Sequence, residues 1–304
     1  MRQIIFVKYN RTRTAEFQLK TEIVQEDGKR SVEKSALSEA GREHIRSFQE
    51  KYEKIRGQNP RIRFLAPEFA DDGRTVRFPY LSGKTLGDAL GEEIHMGQAP
   101  YEALEEAMAL AFPEDFCTKN SGESLCPGAA DQTGAADRTG AAAKTVENGG
   151  TSWITPEFQR VFGALPEEFA VRGRLISPAN VDGLFENLMI SEGQVYGIDY
   201  EWVFDFPIPA KFLHYRNLLY FYRRYERMLS AGQEELFGHF GISKEEQAVF
   251  ASMEEHFQSY VHDGGHFQYM KQYEQPVKTL EFLLDRESEL YKVKEWCENL
   301  KLEI

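Results

Sequence analysis

The reading of the chain turns on residues 180–209, NVDGLFENLMISEGQVYGIDYEWVFDFPIP. Within it, Glu192-Gly193 is a two-residue turn of the kind that joins antiparallel strands. The turn separates two apolar runs, NLMIS (187–191) and QVYGIDYE (194–201). Folding the second run onto the first brings Asn187 and Asp199 to one end of the ribbon, with Asp182 just ahead of it. Carboxylates and an amide gathered among apolar residues are costly to leave unpaired. A hard cation with a phosphorylated ligand relieves that cost, because Mg2+ prefers oxygen ligands and takes phosphate oxygens into its shell.

Upstream, the spacing predicts three strands at 4–10, 16–24 and 30–37, the last two joined by a turn at Asp27-Gly28. Lys34 falls on the third. Residues 38–57 then repeat Leu37, Ile45, Phe48, Tyr52 and Ile55 at helical spacing, with Ser38 as N-cap and Gly57 at the far end. Glu39, Glu43 and Glu50 share a face away from that stripe, whereas His44 lies nearer to it. Two further strands are expected at 61–70 and 74–81. An antiparallel sheet carrying one helix suits a small α+β lobe over residues 1–81.

Beyond it the pattern becomes mainly helical, at 82–90, 156–165, 209–229, 244–261 and 276–304. The last of these has a charged outer face and is expected to begin a coiled coil or to offer a surface for an oligomer or partner. Residues 114–152 include the small, polar repeat GAADQTGAADRTGAA (128–142), expected to be a disordered insertion in the 82–304 lobe. HDGGH (262–266) reads as a solvated loop rather than a metal site.

Composition narrows the function. With 304 residues and 41% apolar content the chain can build sizeable cores, and its net charge of −13 disfavours nucleic acid or an anionic membrane as partner. Cys117, Cys126 and Cys297 suggest neither a disulfide framework nor a metal set. The opening MRQIIFVKYN is too briefly apolar for a signal peptide, and no run approaches the roughly 18 apolar residues of a membrane span. A cytoplasmic protein is the expectation.

Asp182-x-x-x-x-Asn187, followed by a strand ending in Ile198-Asp199, resembles the catalytic and metal-binding loops of the protein-kinase-like superfamily. The aminoglycoside and choline kinase branch, with its H-G-D-x-x-x-x-N and I-D-x-E patterns, is the nearer likeness. The resemblance implies a two-lobed kinase-like fold that binds ATP and Mg2+ and transfers phosphate to a hydroxyl. It implies Asp182 as the catalytic base, Asn187 and Asp199 as metal ligands, and Lys34 on the phosphates. Phe78, Pro79 and Tyr80 would lie beside the adenine. Glu201 completes I-D-x-E and would orient the loop.

The chain departs from that pattern in three places. NRTRTAE (10–16) stands where the family has its glycine-rich loop, so Arg11 and Arg13 are the candidates for holding phosphate by charge-assisted hydrogen bonds. Asn180 stands where the family has histidine. The partner of Lys34 is left open. KYN (8–10) and IDYEWVFDFPIPAKFLHYR (198–216) further resemble kinase-like domains of bacterial surface-polysaccharide enzymes, which implies a small-molecule or glycan acceptor. A nucleotide-binding pseudokinase, acting as a scaffold, is the alternative.

Overall fold

The structure, a computed structural model, describes residues 2–97, 99–115, 144–146, 153–169 and 173–262. The C-terminal segment expected to form a coiled coil lies outside the described residues, as does HDGGH beyond His262 and all of 114–152 except Glu114, Asp115 and 144–146.

The described chain is α+β. Strands β1 (Arg2–Tyr9), β2 (Leu19–Glu26) and β3 (Lys29–Ala36) run antiparallel, and helix α1 (Arg42–Ile55) follows. The β2–β3 connection is the expected tight turn, with Asp27 and Gly28 both at positive φ, 50° and 79°. The run 61–70 does not form one strand. Pro67 lacks the N–H a ladder needs and divides it into β4 (Ile62–Phe64) and β5 (Glu68–Phe69). With β6 (Thr75–Pro79), β5 completes a sheet of order β1-β2-β3-β6-β5.

After β7 (Lys84–Thr85) come α2 (Leu86–His95), α3 (Pro100–Ala111), β8 (Lys144–Val146) and α4 (Pro156–Phe162). Thr85 and Thr155 cap α2 and α4 by accepting from the backbone N–H of Asp88 and Phe158. Next are β9 (Gly173–Ile176), β10 (Ala179–Asn180), β11 (Leu188–Ser191), β12 (Gln194–Gly197), β13 (Val203–Phe204) and β14 (Ile208–Pro209). Helices α5 (Ala210–Tyr225), α6 (Gln233–His239) and α7 (Lys244–His262) close the described chain. Strands β11 and β12 form the expected hairpin at Glu192-Gly193, and β4 joins β12 in parallel instead of entering the first sheet.

Two apolar clusters hold these elements. The smaller packs Ile45, Phe48 and Ile55 of α1 against Leu19, Val76 and Phe78 of the first sheet, and it takes in Tyr200 and Val203 from far along the chain. Tyr200 is fully buried, sets its ring edge against Phe48 and Phe78, and donates its hydroxyl to the Leu65 carbonyl at 2.8 Å. A fully buried side chain of this kind contributes about 1.5–3 kcal/mol. The larger cluster joins α2 to α7, with Phe158, Phe162, Phe212 and Phe257 near its centre.

Asp115 ties the end of α3 to β9 and α5. It accepts two hydrogen bonds from the Arg174 guanidinium, at 2.7 and 3.0 Å, and lies 3.2 Å from the His214 imidazole. Although burial pushes its pKa the other way, hydrogen bonds from His214 and Arg174 hold it down to about 2. The folded-state value lies below the unfolded one, so this stabilisation is whole above about pH 4 and drains away toward pH 2. Asp115→Asn is expected to cost about 2 kcal/mol in urea unfolding at pH 7, with the gap from the parent narrowing as the pH falls below about 4.

Candidate functional site

Glu201 sits where the first sheet, α1 and the segment after β12 converge, only 2% exposed. The anchoring of Tyr200 in the smaller core turns its neighbours Asp199 and Glu201 toward β3. There the Lys34 ammonium donates to Asp199 at 2.9 Å and to Glu201 at 2.5 Å. Arg13, from the β1–β2 loop, donates to the other Glu201 oxygen, and Lys51 of α1 donates to the Glu201 backbone carbonyl at 2.5 Å. His44 Nε2 lies 3.8 Å from Glu201. The partner of Lys34 is therefore the carboxylate two residues past Asp199, not a glutamate of α1. Glu39, Glu43 and Glu50 instead pair with Arg74, Arg46 and Lys54.

Burial and these partners set the charges. Lys34 is held protonated by Asp199 and Glu201 against its own desolvation, and Glu201 stays well below the usual carboxylate range beside Lys34 and Arg13. Burial pushes the His44 pKa down to about 4 and that of Lys51 down to about 8.

Asp182 stands in a loop held from several sides. Its backbone N–H donates to Asn180 Oδ1, its carbonyl accepts from Asn187 Nδ2 at 2.9 Å, and one carboxylate oxygen accepts from the Trp202 N–H at 2.9 Å. Asn180, which replaces the histidine of the sequence pattern, thus bonds the loop backbone. Beneath the loop, Asn217 accepts from the Phe185 N–H and donates to the Gly183 carbonyl. Buried Arg216 donates to the Val181 carbonyl and pairs with Glu254 at 2.6 Å. Burial pushes the Asp182 pKa up to about 7, and the nearby charges of Asp199 and Glu201 push the same way.

The structure thus brings Lys34, Arg13, Asp199 and Asp182 into one cluster, with Asn187 bonded to the Asp182 backbone. It places the other expected residues elsewhere. Arg11 is exposed, its guanidinium 4.9 Å above the Tyr9 ring. Phe78 points into the smaller core, between Phe48 and Tyr200, which leaves it to packing rather than to a ligand. Pro79 is exposed on its strand, and Tyr80 is half-buried under the Arg30 guanidinium.

Sequence reasoning missed Lys51, although it follows Phe48 by three residues and His44 by seven and so falls on the helical stripe already marked. Asn217 and Glu254 carried no local signal, and Arg216 entered only as the last residue of the 198–216 likeness. A cavity of about 290 Å³ borders the same loop at Asn180 and Gly183, with Asn59, Phe112 and Arg174 also in its wall; Asp182 does not line it.

No protein-family model matches the chain, and no curated protein matches it. Among solved structures, the apoenzyme of macrolide 2'-phosphotransferase from Brachybacterium faecium is similar over 78% of this chain and 89% of that chain, at 8% identity and a TM-score of 0.30. No described helix is long and apolar enough to cross a membrane.

Proposed function

We propose that the chain is a kinase-like phosphotransferase that moves the terminal phosphate of ATP to a hydroxyl of a small molecule or glycan end. The observation that carries the reading is the meeting of Lys34 with Asp199 across 165 residues of sequence, beside the loop that presents Asp182. Phosphoryl transfer needs placement and charge stabilisation more than covalent chemistry, and this cluster supplies both. Asp182 orients the acceptor hydroxyl and takes its proton; Lys34 and Arg13 hold phosphate oxygens.

The donor set fits a hard cation. Asp199 is about one-third exposed, and Asn187 keeps its side-chain oxygen while its amide nitrogen is engaged. Two neighbouring carboxylates, one with its pKa pushed up, are the environment a dication relieves. Among the described residues no group of three or more His, Cys, Asp or Glu could hold a metal by itself, so oxygens of the phosphate ligand would complete the shell. Asn187 and Asp199 would hold Mg2+, which when bound neutralises charge on the phosphate oxygens. The adenine site is less well provided, since Phe78 is committed to the core and only Pro79 and Tyr80 remain for it.

The test is phosphate transfer from radiolabelled ATP, with Mg2+, to a panel of oligosaccharides, nucleotide sugars and amino alcohols. Transfer to one acceptor class is the expected result. The sequence likeness at 198–216 favours the glycans, with polysaccharide biosynthesis in the cytoplasm as the setting.

A second reading, a nucleotide-binding pseudokinase acting as a scaffold, is favoured by one feature. The loop that replaces the glycine-rich turn is folded inward: Arg13 bonds Glu201, Phe17 packs on Trp202 with centroids 4.7 Å apart, and the Thr14 N–H donates to the Val261 carbonyl of α7. Mg2+-dependent ATP binding without transfer to any member of the panel would select it.

A further inference from the structure

We propose that Lys51 of α1 completes, with Lys34 and Arg13, a three-cation cradle for the phosphates of a polyphosphate ligand, and that Glu201 is the positioning carboxylate that gathers it. The inference rests on the phosphotransferase reading proposed above only in taking that ligand to be a nucleotide. The cations come from three elements: Arg13 from the β1–β2 loop, Lys34 from β3 and Lys51 from α1. All three touch Glu201, two through its carboxylate and Lys51 through its backbone carbonyl.

The carboxylates in ion-pair contact with this group are Glu201, with Arg13 and Lys34, and Asp199, with Lys34; Asp182 acts on Lys51 only through space. Lys51 is the cation of the three that has no such contact. Among the described residues its ammonium makes no ion pair. It has one carbonyl and the rings of Phe48 and Trp202, whose centroids lie 5.7 and 6.0 Å away. His44, on the same face of α1, is buried with Nε2 lacking a hydrogen-bond partner and is not protonated near neutral pH, so it adds no further positive charge.

An ammonium partly withdrawn from water and short of an anion is matched by an anionic ligand that brings its own oxygens. A single carboxylate would satisfy Lys51 alone. A chain of phosphates reaches Lys51 and also shares Lys34, whose partner Asp199 is open to solvent on one side. Helix α1 therefore contributes charge to the ligand directly, and the clamping of Lys34 has passed to Glu201.

The test titrates the full chain calorimetrically with ATP, inorganic tripolyphosphate and adenosine, in the parent and in Lys51→Gln and Lys51→Arg. Lys51→Gln should weaken ATP and tripolyphosphate at least about tenfold, leave adenosine unchanged, and be largely rescued by arginine, as a charge-assisted contact requires. Equal ATP affinity in parent and Lys51→Gln overturns the cradle and leaves the phosphotransferase reading standing. Tripolyphosphate bound through Lys51, with ATP not bound, upholds the cradle and rejects the nucleotide. Binding of neither by the parent overturns both, and a loss shared equally by adenosine overturns the cradle as a purely structural effect.

Discussion

Asp182→Asn is expected to lower phosphate transfer from ATP by about 10²–10⁴-fold, the usual contribution of a positioned general base, while ATP binding stays nearly unchanged. The reason for separating the two lies in how the loop is held. Its shape depends on the Val181 N–H to Trp202 carbonyl bond at 2.8 Å, on Asn187 donating to the Asp182 carbonyl, and on Asn217 beneath Phe185 and Gly183. None of these uses the Asp182 carboxylate. The one bond that does, from the Trp202 N–H, can be accepted equally by an asparagine oxygen. The variant therefore keeps the architecture and loses the ability to take a proton. Single-turnover transfer measured beside ATP titration reads the two effects apart. Transfer at the parental rate would remove Asp182 from the mechanism and leave Lys34 and Asp199 as a binding site only.

Local signals carried much of the fold. Asp27-Gly28 and Glu192-Gly193 both adopt the positive φ angles that a tight hairpin needs, and residues 187–197 pair as their alternation implies. Helix α1 falls within the expected 38–57, but it begins at Arg42 behind Gly41, and Ser38 precedes a short 3-10 turn without capping it through its side chain. Pro67 was a visible interruption in 61–70, but nothing local says that the first half of that run pairs with β12, which lies 130 residues further on. Phe78 differs from its expected place for another reason. Its alternation with Val76 marks an inward face, whereas the resemblance sets it beside the adenine.

In the site, Lys34 and Asp199 were legible because each sits in a recognisable local pattern. Glu201 could be noted as a motif position but not as the partner of Lys34, because that bond joins residues 167 apart. Lys51 was hidden by composition: a lysine on a helix usually marks the solvated face, and only the packing of Trp202 and Phe48 around it shows the inner one.

The largest expected effect on stability is at Arg216. Arg216→Ala should lower the unfolding free energy by about 3–5 kcal/mol in urea titration, because Glu254 then stays buried without its cation. The side chain is 2% exposed, pairs with Glu254, and lies 4.9 Å from the Phe257 ring. Tyr220 and Gln258 still donate to Glu254, at 2.7 and 2.8 Å, so the carboxylate keeps hydrogen bonds but no counter-charge. Replacing both partners by apolar residues, as in Arg216→Met with Glu254→Leu, should recover most of the loss, since a buried ion pair returns little beyond its own desolvation. The double variant also isolates a second role. Arg216 alone reaches from α5 to the Val181 carbonyl, one residue before Asp182. A double variant as stable as the parent but slow in transfer would show that this contact positions the loop. Parental stability in Arg216→Ala would mean that the pair contributes nothing to the fold, and parental transfer in the stable double variant would mean that the backbone bonds to Trp202 and Asn217 hold Asp182 unaided.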